Sequence, residues 1–186
     1  MDHRDAATLE AGVDHVRDAS KDVGRIELIV ARPEVESRTV LEKATLDAEL
    51  GLVGDSWLSR GNRRTPDGSA DPEAQVTLMN ARAAALIAGD RSRWPLAGDQ
   101  LYVDFDLGVD NLPPGARLAI GDALLEVSEK PHTGCAKFRA RFGEHALRFV
   151  NSPVGRELNL RGINTRVIRG GVVCAGDAVR KVDLAD

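Results

Sequence analysis

Leu118-Ala119-Ile120-Gly121-Asp122-Ala123-Leu124-Leu125-Glu126-Val127 decides the fold class. Leu118 and Ile120 alternate before the Gly-Asp pair; Leu125 and Val127 alternate after it. A period of two puts such side chains on one face of a strand. Two residues with Gly first match a type II′ hairpin turn. The same dipeptide recurs at Gly54-Asp55, Gly89-Asp90, Gly98-Asp99 and Gly176-Asp177. Val172-Val173-Cys174-Ala175 and Val179-Arg180-Lys181-Val182 flank the last pair in a similar way, so it reads as a second hairpin. Arg25–Val30 and Leu101–Phe105 are further strand candidates, and Pro33 ends the first. Many short strands at close spacing predict a mainly β (α+β) chain, a barrel or sandwich rather than a doubly wound sheet.

Working outward, helices interrupt the strands. Asn80 to Ala88 carries Ala83, Leu86 and Ile87 on one face, with Gly89 as a stop. A second helix follows Cys135, where Phe138 and Phe142 stand four apart; Gly143 kinks it and Glu144–Val150 continue it. Residues 1–22 read as a helical extension, with Leu9, Val13 and Val16 at helical spacing, ahead of a domain spanning 23–186. The polar stretch Ser59–Ala74 reads as a mobile loop, because turn-formers dominate it.

The 186 residues hold 25 Lys and Arg against 29 Asp and Glu, a net charge of −4. No basic excess marks a nucleic-acid binder, and no nucleic-acid partner is expected. No stretch of 18 apolar residues exists, so no membrane span is expected either. The charged start, Met1-Asp2-His3-Arg4-Asp5, is unlike a secretory signal. Two cysteines 39 positions apart form no disulfide framework. These features point to a cytoplasmic protein.

Phosphate-loop, dinucleotide-binding and nucleophile-elbow signatures are absent. His132 and Cys135 have a legal ligand spacing, but the remaining histidines and Cys174 are too scattered for a structural zinc. The informative segment is Lys130-Pro131-His132-Thr133-Gly134-Cys135-Ala136-Lys137-Phe138-Arg139-Ala140-Arg141. It places a thiol at a helix N-terminus among Lys130, His132, Lys137 and Arg139. Both the dipole and the cations favour thiolate, the form that binds a soft metal or carries sulfane sulfur. The bland alternative is a small buried hydrophobe, and residue type does not choose between them. Cys174, in an apolar run, reads as the bland kind. The cluster Arg161-Gly162-Ile163-Asn164-Thr165-Arg166 reads either as a solvated strand edge or as an anion site. Asp55 reads as a turn cap or as a ligand contact.

Here the sequence resembles the MOSC domain, the module named after the C-terminal part of molybdenum-cofactor sulfurase. The likeness runs from about Gly24 to Val182. It rests on Gly51-Leu52-Val53-Gly54-Asp55, on Gln75 to Arg82, on Leu112-Pro113-Pro114-Gly115-Ala116-Arg117-Leu118 with Ile120-Gly121, and on His132-Thr133-Gly134-Cys135-Ala136-Lys137-Phe138. It continues through Arg141-Phe142-Gly143, Arg161 to Val167, and Gly176-Asp177-Ala178-Val179. Many members show Gly-Glu-Asn before the central strand; this chain has Gly98-Asp99-Gln100.

The resemblance implies a barrel-like β fold with a few peripheral helices. It implies that Cys135 matches the family's cysteine, a molybdenum ligand or sulfur carrier. For a molybdenum cofactor (molybdopterin), Arg161, Arg166 and Lys137 would hold the phosphate tail. His132 and Thr133 would donate to the pterin or its oxo groups, with Asn164 and Asp55 as further contacts. Relatives of this kind reduce N-hydroxylated compounds, with electrons from a separate reductase. The alternatives are a persulfide carrier served by a cysteine desulfurase, and a non-enzymatic binding or assembly module. No pyridoxal-phosphate site is expected on this chain.

Overall fold

The computed structural model describes residues 3–182; Met1, Asp2 and the last four residues of the expected domain lie outside the description. The elements, in chain order, are α1 Ala6–Ala11, α2 Val13–Arg17, β1 Val23–Ala31, β2 Thr39–Leu41, β3 Lys43–Asp47, β4 Gly51–Leu52, α3 Trp57–Arg60, β5 Val76–Asn80, α4 Ala81–Ala88, β6 Leu101–Asp104, β7 Arg117–Ile120, β8 Ala123–Val127, α5 Ala136–Asn151, α6 Pro153–Glu157, β9 Ile163–Arg169, β10 Gly171–Cys174 and β11 Ala178–Val182.

Among the described residues seven strands close into a barrel in the order β1, β6, β5, β9, β8, β7, β11, and β11 pairs back onto β1. Closure removes the free edges that an open sheet exposes. The β7–β8 hairpin has Ile120 opposite Ala123, so its loop is Gly121-Asp122 alone. Gly121 has φ 52° and Asp122 is not among the residues with positive φ, which makes the turn type II′. The β5–β6 pair is parallel and therefore needs a crossover, supplied by α4 and the 3-10 turn Arg91–Ala97. Asn80 starts α4 by accepting hydrogen bonds from the Arg82 and Ala83 amides, and Gly89 ends it. β2 extends the barrel beside β1, and β10, β3 and β4 form a small second sheet.

Two apolar clusters follow from strand alternation. Ile29, Leu78, Leu101, Val103, Leu118, Ile120, Leu125 and Val127 point into the barrel. Leu28, Val30, Met79 and Tyr102 point outward, beneath a helical layer containing Leu9, Val16, Ile87, Phe138, Phe142 and Phe149. The Tyr102 hydroxyl donates to the Trp94 carbonyl at 2.6 Å, so burying it leaves no orphan donor.

Two local expectations are corrected, at the N-terminal helix and at Gly176-Asp177, and the 59–74 loop gains local detail. The N-terminal helix is two short helices, because the chain turns at Gly12, where a side chain would collide with Leu86. The 59–74 stretch is not structureless. Asn62, Thr65 and Asp67 bond their own backbone, Asp71 caps the 3-10 turn Pro72–Ala74, and the Trp57 indole donates to the Asp71 carbonyl. Gly176-Asp177 does not close a hairpin: β10 pairs with β3, while β11 pairs with β7 and β1. The turn carries the chain from the small sheet to the barrel.

Candidate functional site

β8 ends at Val127, and residues 128–135 lead into α5. Gly134 lies against Val150 and Leu147, where a Cβ would come within 2.9 Å of side-chain carbon. Asn151 brackets it, accepting from the Gly134 amide at 3.0 Å and donating to its carbonyl at 3.4 Å. Cys135 is thereby fixed as the N-cap of α5, in extended backbone (φ −124°, ψ 178°). Its thiol is exposed and makes no capping bond. The buried-hydrophobe alternative is thus set aside for Cys135. Phe138 and Phe142 anchor the helix, ring centroids 4.9 Å apart, and Gly143 (φ 89°) breaks it. Cys174 is half-buried at the end of β10.

The cations around Cys135 are mostly spoken for. Lys130 pairs with Asp71, and Arg139 lies 3.9 Å from Glu144. Lys137 and Arg141, one turn apart on α5, both bind Glu36 in the β1–β2 loop. Bonds from Lys137 and then Arg141 hold the Glu36 carboxyl below the usual carboxylate range. Glu36 sits at φ 63°, a costly conformation for a residue with a side chain. His132 is not a cation at all. Burial, and then the Arg161 guanidinium, push its pKa down to about 3; Asp99 pulls the other way by less than Arg161, and Arg32 adds a smaller push.

Asp99 lies at the centre of this corner, fully buried. Its Oδ2 accepts from Arg161 at 2.6 Å, and its Oδ1 lies 3.4 Å from His132 Nδ1. Arg161 also donates to the Ala97 carbonyl at 2.8 Å and stacks 5.1 Å over the Phe138 ring. Gln100 is a strand clamp: its Oε1 accepts from the Thr77 amide and hydroxyl, and its Nε2 donates to the Gln75 carbonyl. The Gly98-Asp99-Gln100 variant of the family motif is thus buried, with Asp99 turned to Arg161 and His132.

The expected contacts separate into groups. Arg161 is not free to meet an anion, because Asp99 already neutralises it in the interior. Arg166 is exposed on β9 and forks onto Glu126 of β8, away from Asp99. Asp55 is a buried cap: it accepts from the Trp57 amide and takes a bidentate grip from Arg32 at 2.8 and 2.9 Å. Lys137 is exposed and held by Glu36. His132, Thr133 and Asn164 line a cleft of about 370 Å³, which Cys135 does not line. Asn164 donates to the Lys130 carbonyl at 3.0 Å.

Sequence reasoning missed Arg32, Arg38 and Arg60, and named Asp99 only as part of the family-motif variant. Arg32 donates to the Gly98 carbonyl at 2.8 Å, which ties the Asp55 turn to the Asp99 corner. Arg38 donates to the Pro95 and Ser37 carbonyls and, among the described residues, has no carboxylate partner. Burial, then Arg141 and Arg32, hold its pKa below the usual arginine range; burial, then Arg32, do the same to Arg60. An anion beside these guanidiniums would relieve that strain. Arg32 carried one signal, a lone cation directly after an apolar strand. Among the described residues no three His, Cys, Asp or Glu side chains converge as a metal cluster. No helix of the described residues is long and apolar enough to cross a membrane.

Comparison with known proteins follows the same outline. Crystal structures of YuaD from Bacillus subtilis, and of YiiM from Escherichia coli and Geobacillus stearothermophilus, share the fold. YuaD superposes with a TM-score of 0.61 at 18% identity, over 84% of this chain and 94% of that one. The Escherichia coli YiiM gives 0.56 at 21% identity, over 87% and 71%. The Geobacillus stearothermophilus YiiM gives 0.56 at 14%, over 86% and 75%. No curated protein matches the sequence. The MOSC domain family model matches residues 67–180, which hold both the Asp99 corner and the Cys135 helix start, and the chain belongs to the MOSC domain family.

Proposed function

We propose that the chain binds the molybdenum cofactor, with Cys135 as the protein's ligand to the metal. The observation that carries this reading is an exposed thiol without a capping bond, set at a helix start by the Gly134–Asn151 bracket. The residues present fit such a group. A pterin dithiolene supplies sulfur ligands of its own, so one thiolate suffices and a three-residue metal cluster is not required. Arg38 and Arg60 would take the anionic tail, since neither has a carboxylate partner among the described residues and both carry unfavourable charge. They replace Arg161 and Arg166 in that role.

When bound, the cofactor would supply two-electron chemistry, consistent with reduction of an N-hydroxyl group to an amine and water. Electrons would come from a separate reductase. The chain's own residues position: Gly134 and Asn151 set the thiol, and Glu36 holds Lys137 and Arg141 on the flank. A second reading, sulfur carriage on a Cys135 persulfide, is favoured by the same open thiol standing without neighbouring ligands.

Protein purified from a host that makes the cofactor separates these readings. Stoichiometric molybdenum, lost in Cys135→Ala, supports the first. A persulfide on Cys135 with no molybdenum supports the second. Neither on the wild-type protein sinks both.

A further inference from the structure

A cleft of about 370 Å³ lies beside the thiol loop and has a chemistry of its own. Its walls are apolar, with Val109, Leu112, Val127, Val150 and Ile163 among them. Among its polar lining groups, His132 and Asn164 present hydrogen-bond acceptors. The buried nitrogen of His132 is Nδ1, facing Asp99; Nε2 bonds no described residue and is not among the buried unpartnered atoms, so it opens on the cleft. Asn164 spends its amide on the Lys130 carbonyl, which leaves its Oδ1 as a second acceptor. Charged groups are confined to the rim: Glu129 and Arg156 are exposed, and Lys130 is tied to Asp71.

We propose that this cleft binds a small neutral molecule with an apolar body, through an N–H donated to His132 Nε2. Asp99 Oδ1 faces His132 Nδ1 at 3.4 Å without a hydrogen bond, and a buried carboxylate oxygen repels a lone pair, so its field favours the imidazole proton on Nδ1; Arg161 holds Asp99 in place. That tautomer fixes Nε2 as a bare acceptor. An anion would meet the lone pair of a neutral imidazole and gain nothing there. A donor-bearing apolar molecule gains both the walls and the acceptor. The site stands whether or not Cys135 carries metal or sulfur.

Indole and benzofuran test it on the full chain, because they share size and shape and differ in one N–H. Titration followed by amide chemical shifts should place indole in the cleft, about two- to tenfold tighter than benzofuran, the range of one net hydrogen bond. His132→Phe should erase that preference while keeping binding. Val109→Trp, a change at an exposed rim residue, should block both probes. If His132→Phe does not fold, the wild-type ratio and the Val109→Trp result still decide. Equal affinity for the two probes, no binding of either at their solubility limits, or shifts mapping away from the cleft would each overturn the proposal.

Discussion

Changing Asp99→Asn keeps the shape of the buried corner and removes its negative charge. The Asp99 side chain is 0% exposed and the Arg161 side chain 7%, with 2.6 Å between their bonded atoms. Arg161 would then be a buried guanidinium with the Ala97 carbonyl and the Phe138 ring as its company. Breaking a buried pair on one side costs about 3–5 kcal/mol, because the remaining charge is left uncompensated. For a chain of this size that corresponds to a fall in Tm of roughly 6–20 °C. Urea unfolding followed by tryptophan fluorescence measures it, since Trp94 packs in the same helical layer. The double change Asp99→Leu with Arg161→Met should recover most of the loss, because it removes both charges. Arg166→Met provides the contrast: its pair with Glu126 is half exposed, so the cost should stay below about 1 kcal/mol. An Asp99→Asn protein within about 1 kcal/mol of wild type would refute the view that this pair is dry and electrostatically tight.

Three further outcomes are expected. Glu36→Gln should release the charges of Lys137 and Arg141 beside Cys135, speeding alkylation by iodoacetate relative to iodoacetamide about two- to threefold; an unchanged ratio would show that Glu36 does not shield the thiol. Because the folded state holds His132 near a pKa of about 3, against 6.5 in the unfolded chain, unfolding takes up a proton below pH 6.5. This contribution to stability is intact above pH 6.5 and is lost progressively from there down to about pH 3; His132→Gln should flatten the slope, and a slope equal to wild type would count against burial as its cause. Gly162→Ala should destabilise by about 1–3 kcal/mol, since Gly162 has φ 103° and a Cβ there would press on the Leu78 carbonyl; thermal unfolding at the wild-type Tm would contradict it.

Much of the architecture was legible in local spacing. The Leu118–Val127 alternation, the helix after Asn80 with its Gly89 stop, and the Gly143 kink all act within a few residues, and the structure bears out each. The placement of Cys135 at a helix start was legible for the same reason. Gly176-Asp177 marks the limit of such reading. A turn dipeptide locates a change of direction, but the partner of the next strand is chosen by the barrel, which needs β11 to close against β1.

From sequence alone came the strand-rich class, the family likeness and one thiol with a basic neighbourhood. Tertiary structure alone decided which of those charges are free. Arg161 meets Asp99 across 62 positions, Arg166 meets Glu126 across 40, and Glu36 reaches Arg141 across 105. Periodicity over a few residues carries no information about contacts at such separations. A guanidinium's availability depends on the carboxylate that the fold brings within 3 Å of it, so the contrast between Arg161, which has such a partner, and Arg38 and Arg60, which have none among the described residues, emerged only when the chain was closed into a barrel.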